Sequence, residues 1–340
     1  MFVRNCWYVV AWAHEVQGDM LLERTVLGES LLIYRSAGET PVVLDNRCPH
    51  RHAPLSMGRR EGDLLRCMYH GLAFDSSGQC VEVPGQERIP PMLRARSYPA
   101  VQKDAWIWVW MGDPARADES LIPDTYSLNH PGWRYKPGGY LRYEVDYLLI
   151  CDNLLDFSHL SYVHERTLGG TSGIAESRPI VERMDRGVRI TRDVRNTVPA
   201  PFHRQLGEFN GPVDRRFHYE FYVPGILLML SHVKPSDTPD DDMRGALRMH
   251  SCQALTPETE SSTHYFFMAA HDYKLDDESV TESIYRSVCE AFEEDKKIIT
   301  AQQRLIERSN PAPLQPIPAD GALGQFRFIV KQMADKEQRR

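Results

Sequence analysis

Cys48-Pro49-His50-Arg51-His52 opens, and Cys67-Met68-Tyr69-His70 closes, the stretch CPHRHAPLSMGRREGDLLRCMYH, in which 16 residues separate His50 from Cys67. The pattern is Cys-x-His followed by Cys-x-x-His. Two thiolates and two imidazoles carried on short loops make a four-ligand metal site. Around it the first third of the chain is strand-like. Short apolar runs at Ser30–Tyr34 and Pro41–Leu44 are separated by Gly and polar turns. Trp106-Ile107-Trp108-Val109-Trp110 alternates aromatic and β-branched residues and stops at Gly112-Asp113-Pro114, which predicts a strand and its turn. From about Ala115 to Gly139 the chain is rich in Pro, Gly and Asp. A boundary there gives an all-β domain over 1–125 and a second domain over 126–340.

The second domain reads as α+β. Tyr147–Val163 is expected to be helical, and 178–194, 215–232, 245–256 and 261–271 to be strands. A long helix is expected from Asp277 to Arg308, because Ile284, Val288, Phe292 and Ile299 fall on one helical stripe. Ser309-Asn310-Pro311 ends it. Pocket-forming residues in this domain are expected among Ile226, Leu228, Gln253 and Phe267.

The chain has 340 residues, 42% hydrophobic and 26% charged, with net charge −7. These values fit a soluble globular protein and exclude a disordered or fibrous chain. The acidic balance argues against nucleic acid and anionic membrane surfaces as partners. The apolar run in MFVRNCWYVVAWAHEV is interrupted by His14 and Glu15, so no signal peptide is expected, and no run reaches the roughly 18 apolar residues of a membrane span. Seven scattered cysteines do not make a disulfide scaffold, and a cytoplasmic location is expected. Asp240-Asp241-Asp242 reads as a solvated loop.

Zinc sites usually pair like ligands, Cys with Cys and His with His. Here each loop supplies one of each. That suits two irons of different ligation, Cys48 and Cys67 on one and His50 and His70 on the other, which is the Rieske [2Fe–2S] pattern. A structural zinc site is the alternative. His52 is assigned a surface or supporting role, and Cys80 a small core or loop position.

A second constellation lies in Asp152-Asn153-Leu154-Leu155-Asp156-Phe157-Ser158-His159-Leu160-Ser161-Tyr162-Val163-His164. Five residues apart, His159 and His164 are rotated by about 140° on a regular α-helix. For both to meet one metal, the helix must end or widen between them. Two histidines and one carboxylate form the mononuclear Fe(II) site that leaves positions open for O2 and substrate. Asp295 is the expected carboxylate, over Glu294. It lies on the apolar stripe of the long helix, where an unpaired charge is costly. Asp156 is expected to orient His159, and Asn153, one turn back, to approach the metal.

Together these blocks resemble the oxygenase component of Rieske non-haem iron oxygenases, most closely the vanillate O-demethylase, dicamba demethylase and toluenesulfonate methyl-monooxygenase group. RNCWYVVAW, CPHRHAPLS, CMYHGLAFD, WIWVWMGDP, DNLLDFSHLSYVH, LTPETESSTHYFF and FEEDKK carry the resemblance along nearly the whole chain. It implies a Rieske domain followed by a helix-grip (START-like) catalytic domain. It also implies a head-to-tail homotrimer, in which Asp156 bridges a cluster histidine, His70, to the iron ligand His159. His52 stands where several relatives carry a small or apolar residue.

The expected activity is hydroxylation of a methyl or methoxy group on a small aromatic acid, using O2. The chain has no Gly-x-Gly-x-x-Gly fingerprint. Electrons are therefore expected from a separate NAD(P)H-dependent reductase, with or without its own ferredoxin domain. The rival readings are a ring cis-dihydroxylating dioxygenase and a Rieske electron carrier without oxygen chemistry.

Overall fold

The computed structural model describes residues 1–169, 173–207, 209–309 and 313–338. Contacts divide the chain into two units, Met1–Ile122 with Thr256–Glu260, and Pro123–Leu255 with Ser261–Arg340. No helix among the described residues is long and apolar enough to cross a membrane.

The first unit is built from β1 (Trp7–Trp12), β2 (Leu22–Val26), β3 (Glu29–Arg35), β4 (Pro41–Asp45), β5 (Arg59–Glu61), β6 (Leu64–Arg66), β7 (Ala73–Phe74), β8 (Cys80–Glu82), β9 (Ser97–Tyr98), β10 (Ala100–Lys103) and β11 (Trp106–Trp110). They form three sheets, β1-β11-β10, β2-β3-β4-β9 and β5-β6-β7-β8. The tryptophan-rich strand β11 is buried on both faces. Trp7 lies opposite Trp110 and Trp12 opposite Trp106, and both pairs meet edge to face at 5.5 Å. Cross-strand aromatic pairs of this kind fix register as well as burying area. Leu27 and Gly28 donate their backbone N–H groups to the carbonyls of Pro257 and Glu258, so residues 256–260 complete this unit.

The second unit holds β12 (Tyr140–Tyr143), α1 (Tyr147–Leu155), α2 (Gly173–Glu176), β13 (Ile180–Met184), β14 (Gly187–Thr197), α3 (Pro201–Leu206), β15 (Val213–Tyr222), β16 (Ile226–Pro235), β17 (Leu247–Thr259), β18 (Ser262–His271), α4 (Glu278–Arg308) and α5 (Gly321–Gln338). A seven-stranded sheet runs β12-β18-β17-β16-β15-β14-β13. The long amphipathic α4 lies against it. Phe292 stacks on Tyr265 at 5.1 Å and meets Phe267 edge-on at 4.8 Å. Asp277 caps the helix, accepting from the backbone N–H of Ser279.

The local boundaries differ from expectation where turn chemistry interrupts an apolar run. The segment 178–194 is a hairpin, turning at Asp185-Arg186 between β13 and β14. The segment 215–232 is two strands joined through Val223-Pro224-Gly225. The helix expected to run to Val163 ends at Leu155. There Asp156 takes an extended conformation (φ −124°, ψ 97°) and caps a short 3-10 turn, Phe157–Ser161.

Candidate metal centres

The Cys48 loop follows β4, and the Cys67 loop joins β6 to β7. The two loops close in the same way. The Cys48 N–H donates to the Ala53 carbonyl and the His52 N–H to the Cys48 carbonyl; the Cys67 N–H donates to the Leu72 carbonyl and the Gly71 N–H to the Cys67 carbonyl. Both fifth positions are left-handed, with φ 58° at His52 and 76° at Gly71. His52 therefore holds the backbone place that glycine holds in the other loop, and histidine is among the residues that tolerate it. Its side chain is exposed.

Cys48 and Cys67 are buried in one apolar cluster with Leu55, Leu65, Leu72 and Phe74. His50 and His70 are exposed at the rim, with ring centroids 4.6 Å apart. Burial pushes the Cys48 thiol up to about 11. A thiolate there needs a compensating positive charge, which bound metal supplies. Among the described residues, only His159, His164 and Asp295 bring three such ligand atoms within 4.8 Å of one another. Thiols inside and imidazoles at the rim fit a two-iron cluster with its histidine-bound iron outward.

In the second unit α1, the turn after it and α4 position the other set. Asp295 is buried on the inner stripe of α4. Its Oδ1 lies 3.2 Å from Nε2 of His164 and 3.5 Å from Nε2 of His159, and it accepts a 3.1 Å bond from the Asn153 amide. The far nitrogens are also held. His159 Nδ1 donates to the Asp156 backbone carbonyl at 2.6 Å. His164 Nδ1 lies 2.7 Å from Glu294 Oε2, which also accepts from the Thr167 hydroxyl. Both imidazoles thus turn Nε2 toward Asp295, the arrangement that fixes ligand tautomers in metal sites.

The electrostatics differ between the two imidazoles. At His159 burial dominates over the attraction of Asp295 and lowers the pKa. At His164 burial opposes the charged form, but hydrogen bonds and charge from Asp295 and Glu294 together raise the pKa. Two imidazoles and one carboxylate with donor atoms within 4.8 Å of one another are a donor set that fits Fe(II).

The roles of some expected residues differ in detail. His159 is met by the Asp156 backbone carbonyl, while the Asp156 carboxylate accepts from the Ser158 N–H and hydroxyl and lies 3.5 Å from Arg192. The chain leaves α1 before Asp156, which caps the 3-10 turn that carries His159. Glu294, set aside as a ligand, orients His164. The adjacent acids of α4 carried that possibility, but only the turn at 164–167 shows which imidazole Glu294 meets.

A cavity of about 100 Å³ is lined by His159, His164 and Asp295 together with apolar residues such as Leu154, Phe217, Met229 and Phe292. Its volume is about two thirds of the roughly 150 Å³ cavity that holds a benzene ring. Gln253 lines it, but its amide is already bonded to Tyr265 and Ser251. Ile226, Leu228 and Phe267 are not among the lining residues. Pairing of Phe217 with Ser231, and of Met229 with Ser251, puts the odd-numbered residues of β16 on the cavity face, and a one-residue change of parity reverses faces.

Comparison with known proteins matches residues 6–99 to the Rieske [2Fe-2S] domain and residues 143–336 to the vanillate O-demethylase oxygenase C-terminal domain. The chain is 43% identical to the iron-sulfur subunit of a toluene-4-sulfonate monooxygenase system from Comamonas testosteroni, over 99% of this chain and 98% of that one. It superposes on crystal structures of dicamba monooxygenase. One, bound to dicamba, gives a TM-score of 0.91 at 32% identity and covers 100% of this chain and 99% of that one. Another, with non-heme iron and dicamba, gives 0.81 at 31% identity, covering 99% and 98%.

Proposed function

The chain belongs to the family of Rieske oxygenase components that carry the vanillate O-demethylase oxygenase C-terminal domain, and from that premise we propose that it hydroxylates a methyl or methoxy group of a small aromatic acid. It is a Rieske-type non-haem iron monooxygenase, and its cofactors are a [2Fe–2S] cluster and mononuclear Fe(II). We assign the cluster to Cys48, His50, Cys67 and His70, and the iron to His159, His164 and Asp295. When bound, the iron would supply O2 activation and the cluster one-electron transfer.

The single observation carrying the reading is that these two histidines and Asp295 meet at the wall of a largely apolar cavity. An electron carrier needs neither. The chain's own residues do the remaining work. Asp156 and Glu294 hold the imidazole tautomers, and Asn153 steadies the carboxylate. The apolar walls exclude water and hold the ring. With O2, two electrons and two protons, one oxygen enters the substrate and the other leaves as water. Oxygen placed on a methoxy carbon gives a hemiacetal, which collapses to a phenol and formaldehyde; on a C-methyl it gives a benzyl alcohol.

We assign electron supply to a separate NAD(P)H-dependent reductase and place the protein in the cytoplasm, where its seven unbridged cysteines stay reduced. We also propose a head-to-tail trimer, in which Asp156 joins its own His159 to the cluster histidine, equivalent to His70, of a second copy. Exposure of His70 and the partly exposed Asp156 carboxylate support this reading.

The test is single turnover. The chemically reduced protein is mixed with O2 and a panel of methyl- and methoxy-substituted aromatic acids and sulfonates. Formaldehyde or a benzyl alcohol is expected, and a His159→Ala variant should form neither while keeping the cluster's visible spectrum. A cis-diol would move the protein to the ring dioxygenases.

A further inference from the structure

Beside the larger cavity lies a smaller one of about 20 Å³, and the two share Phe202, His203, Arg215, Phe217, Ser231 and Met249. The annex is unusual in its polar atoms. Arg215, His203 and Tyr273 all line it; Arg215 Nε, His203 Nδ1 and Tyr273 Oη are buried, and none has a hydrogen-bond partner among the described residues. Arg215 comes from β15, His203 from α3, and Tyr273 follows β18.

Arg215 is 4% exposed. Its terminal nitrogens donate to the carbonyls of Gly169 and Leu168, and its guanidinium sits 5.2 Å from the Phe217 ring centre. No carboxylate among the described residues pairs with it. Burial holds its pKa down at about 10, and burial together with the charge of Arg215 holds His203 neutral, well below the ordinary histidine value. A buried cation without a counter-ion is costly, and unpaired buried donors add to that cost. An oxyanion arriving in the annex would remove both costs at once, accepting from the guanidinium, the phenol and the imidazole in its Nδ1–H tautomer.

We propose that the annex is the anion subsite for the substrate: Arg215, His203 and Tyr273 hold its carboxylate or sulfonate while its ring fills the larger cavity, with the methyl or methoxy carbon toward His159, His164 and Asp295. This rests on the oxygenase reading and adds the residues that select an acid over a neutral aromatic. The ring has little freedom to turn when its head group is fixed at one end.

Calorimetric binding to the protein loaded with cluster and iron tests this. The probes are toluene-4-sulfonate, 4-methylbenzoate, and the uncharged 4-tolyl methyl sulfone and 4-methylacetophenone. Each anion is expected to bind on the order of 10–100-fold more tightly than its uncharged counterpart. In Arg215→Gln that ratio should approach one. In Tyr273→Phe it should fall several-fold with iron content and melting temperature unchanged, which keeps the test valid if Arg215→Gln disturbs the 168–169 segment. A larger Tyr273 effect on the sulfonate, or on the carboxylate, identifies the head group. Equal binding of charged and uncharged probes to the wild type, or a ratio unchanged in Tyr273→Phe and Arg215→Gln, means that the annex holds water only and overturns the subsite. Selective binding without any hydroxylated product in single turnover would instead leave the subsite standing and remove the oxygenase reading.

Discussion

Glu294 Oε2 lies 2.7 Å from Nδ1 of His164, while the next residue of α4, Asp295, faces Nε2 of the same ring at 3.2 Å. Successive helical residues point about 100° apart, so one acid enters the buried site and its neighbour stays at the rim beside Thr167. Loss of such an outer partner typically weakens metal binding 10–100-fold. Glu294→Ala should do so with the cluster spectrum intact, and Glu294→Gln, which can still accept the hydrogen bond, should do less. Chelator competition for the iron measures both.

The turn after His164 depends on a missing side chain. A Cβ on Gly169 would lie 1.7 Å from the Leu160 carbonyl oxygen, and the Gly169 N–H bonds to the His164 carbonyl. The backbone must move to admit even alanine. Gly169→Ala should cost about 1–3 kcal/mol and lower iron occupancy, read as a drop in melting temperature and in metal content per chain.

His52 makes the opposite test. It holds a left-handed conformation that costs a non-glycine residue about 1–2 kcal/mol, against a glycine's entropic cost of about 0.5–1 kcal/mol. His52→Gly should leave the cluster's visible spectrum unchanged and stabilise the protein by up to about 1 kcal/mol in denaturant unfolding. Loss of the cluster would make His52 more than a loop residue.

His250 sets a pH dependence. It is buried, stacked on Tyr126 at 4.9 Å, and bonded through Nδ1 to Ser127. Burial lowers its pKa to about 4, against about 6.5 in the unfolded chain. The unfolded state therefore binds the extra proton first. Stability should be full above pH 6.5, fall between about pH 6.5 and 4, and lose up to roughly 3 kcal/mol from this group alone. His250→Gln should flatten that part of the stability profile in urea titrations across pH.

The sequence determined the donor types and the kind of scaffold. Cys48, His50, Cys67 and His70 lie close along the chain in two short loops, so local spacing alone suggests the cluster we propose for them. Asp295 is legible because a charge on an apolar helical stripe needs a partner. The tertiary structure decided what depends on faces and long-range register. It assigned Glu294 to His164 across 130 residues, and gave His159 the carbonyl rather than the carboxylate of Asp156. It put Met229 and Ser231, instead of Ile226 and Leu228, at the cavity. It also gathered Arg215, His203 and Tyr273 from a strand, a helix and a loop. Strand parity turns on a single residue, and an unpartnered buried donor is defined only by what fails to surround it; neither is written in the order of residues along the chain.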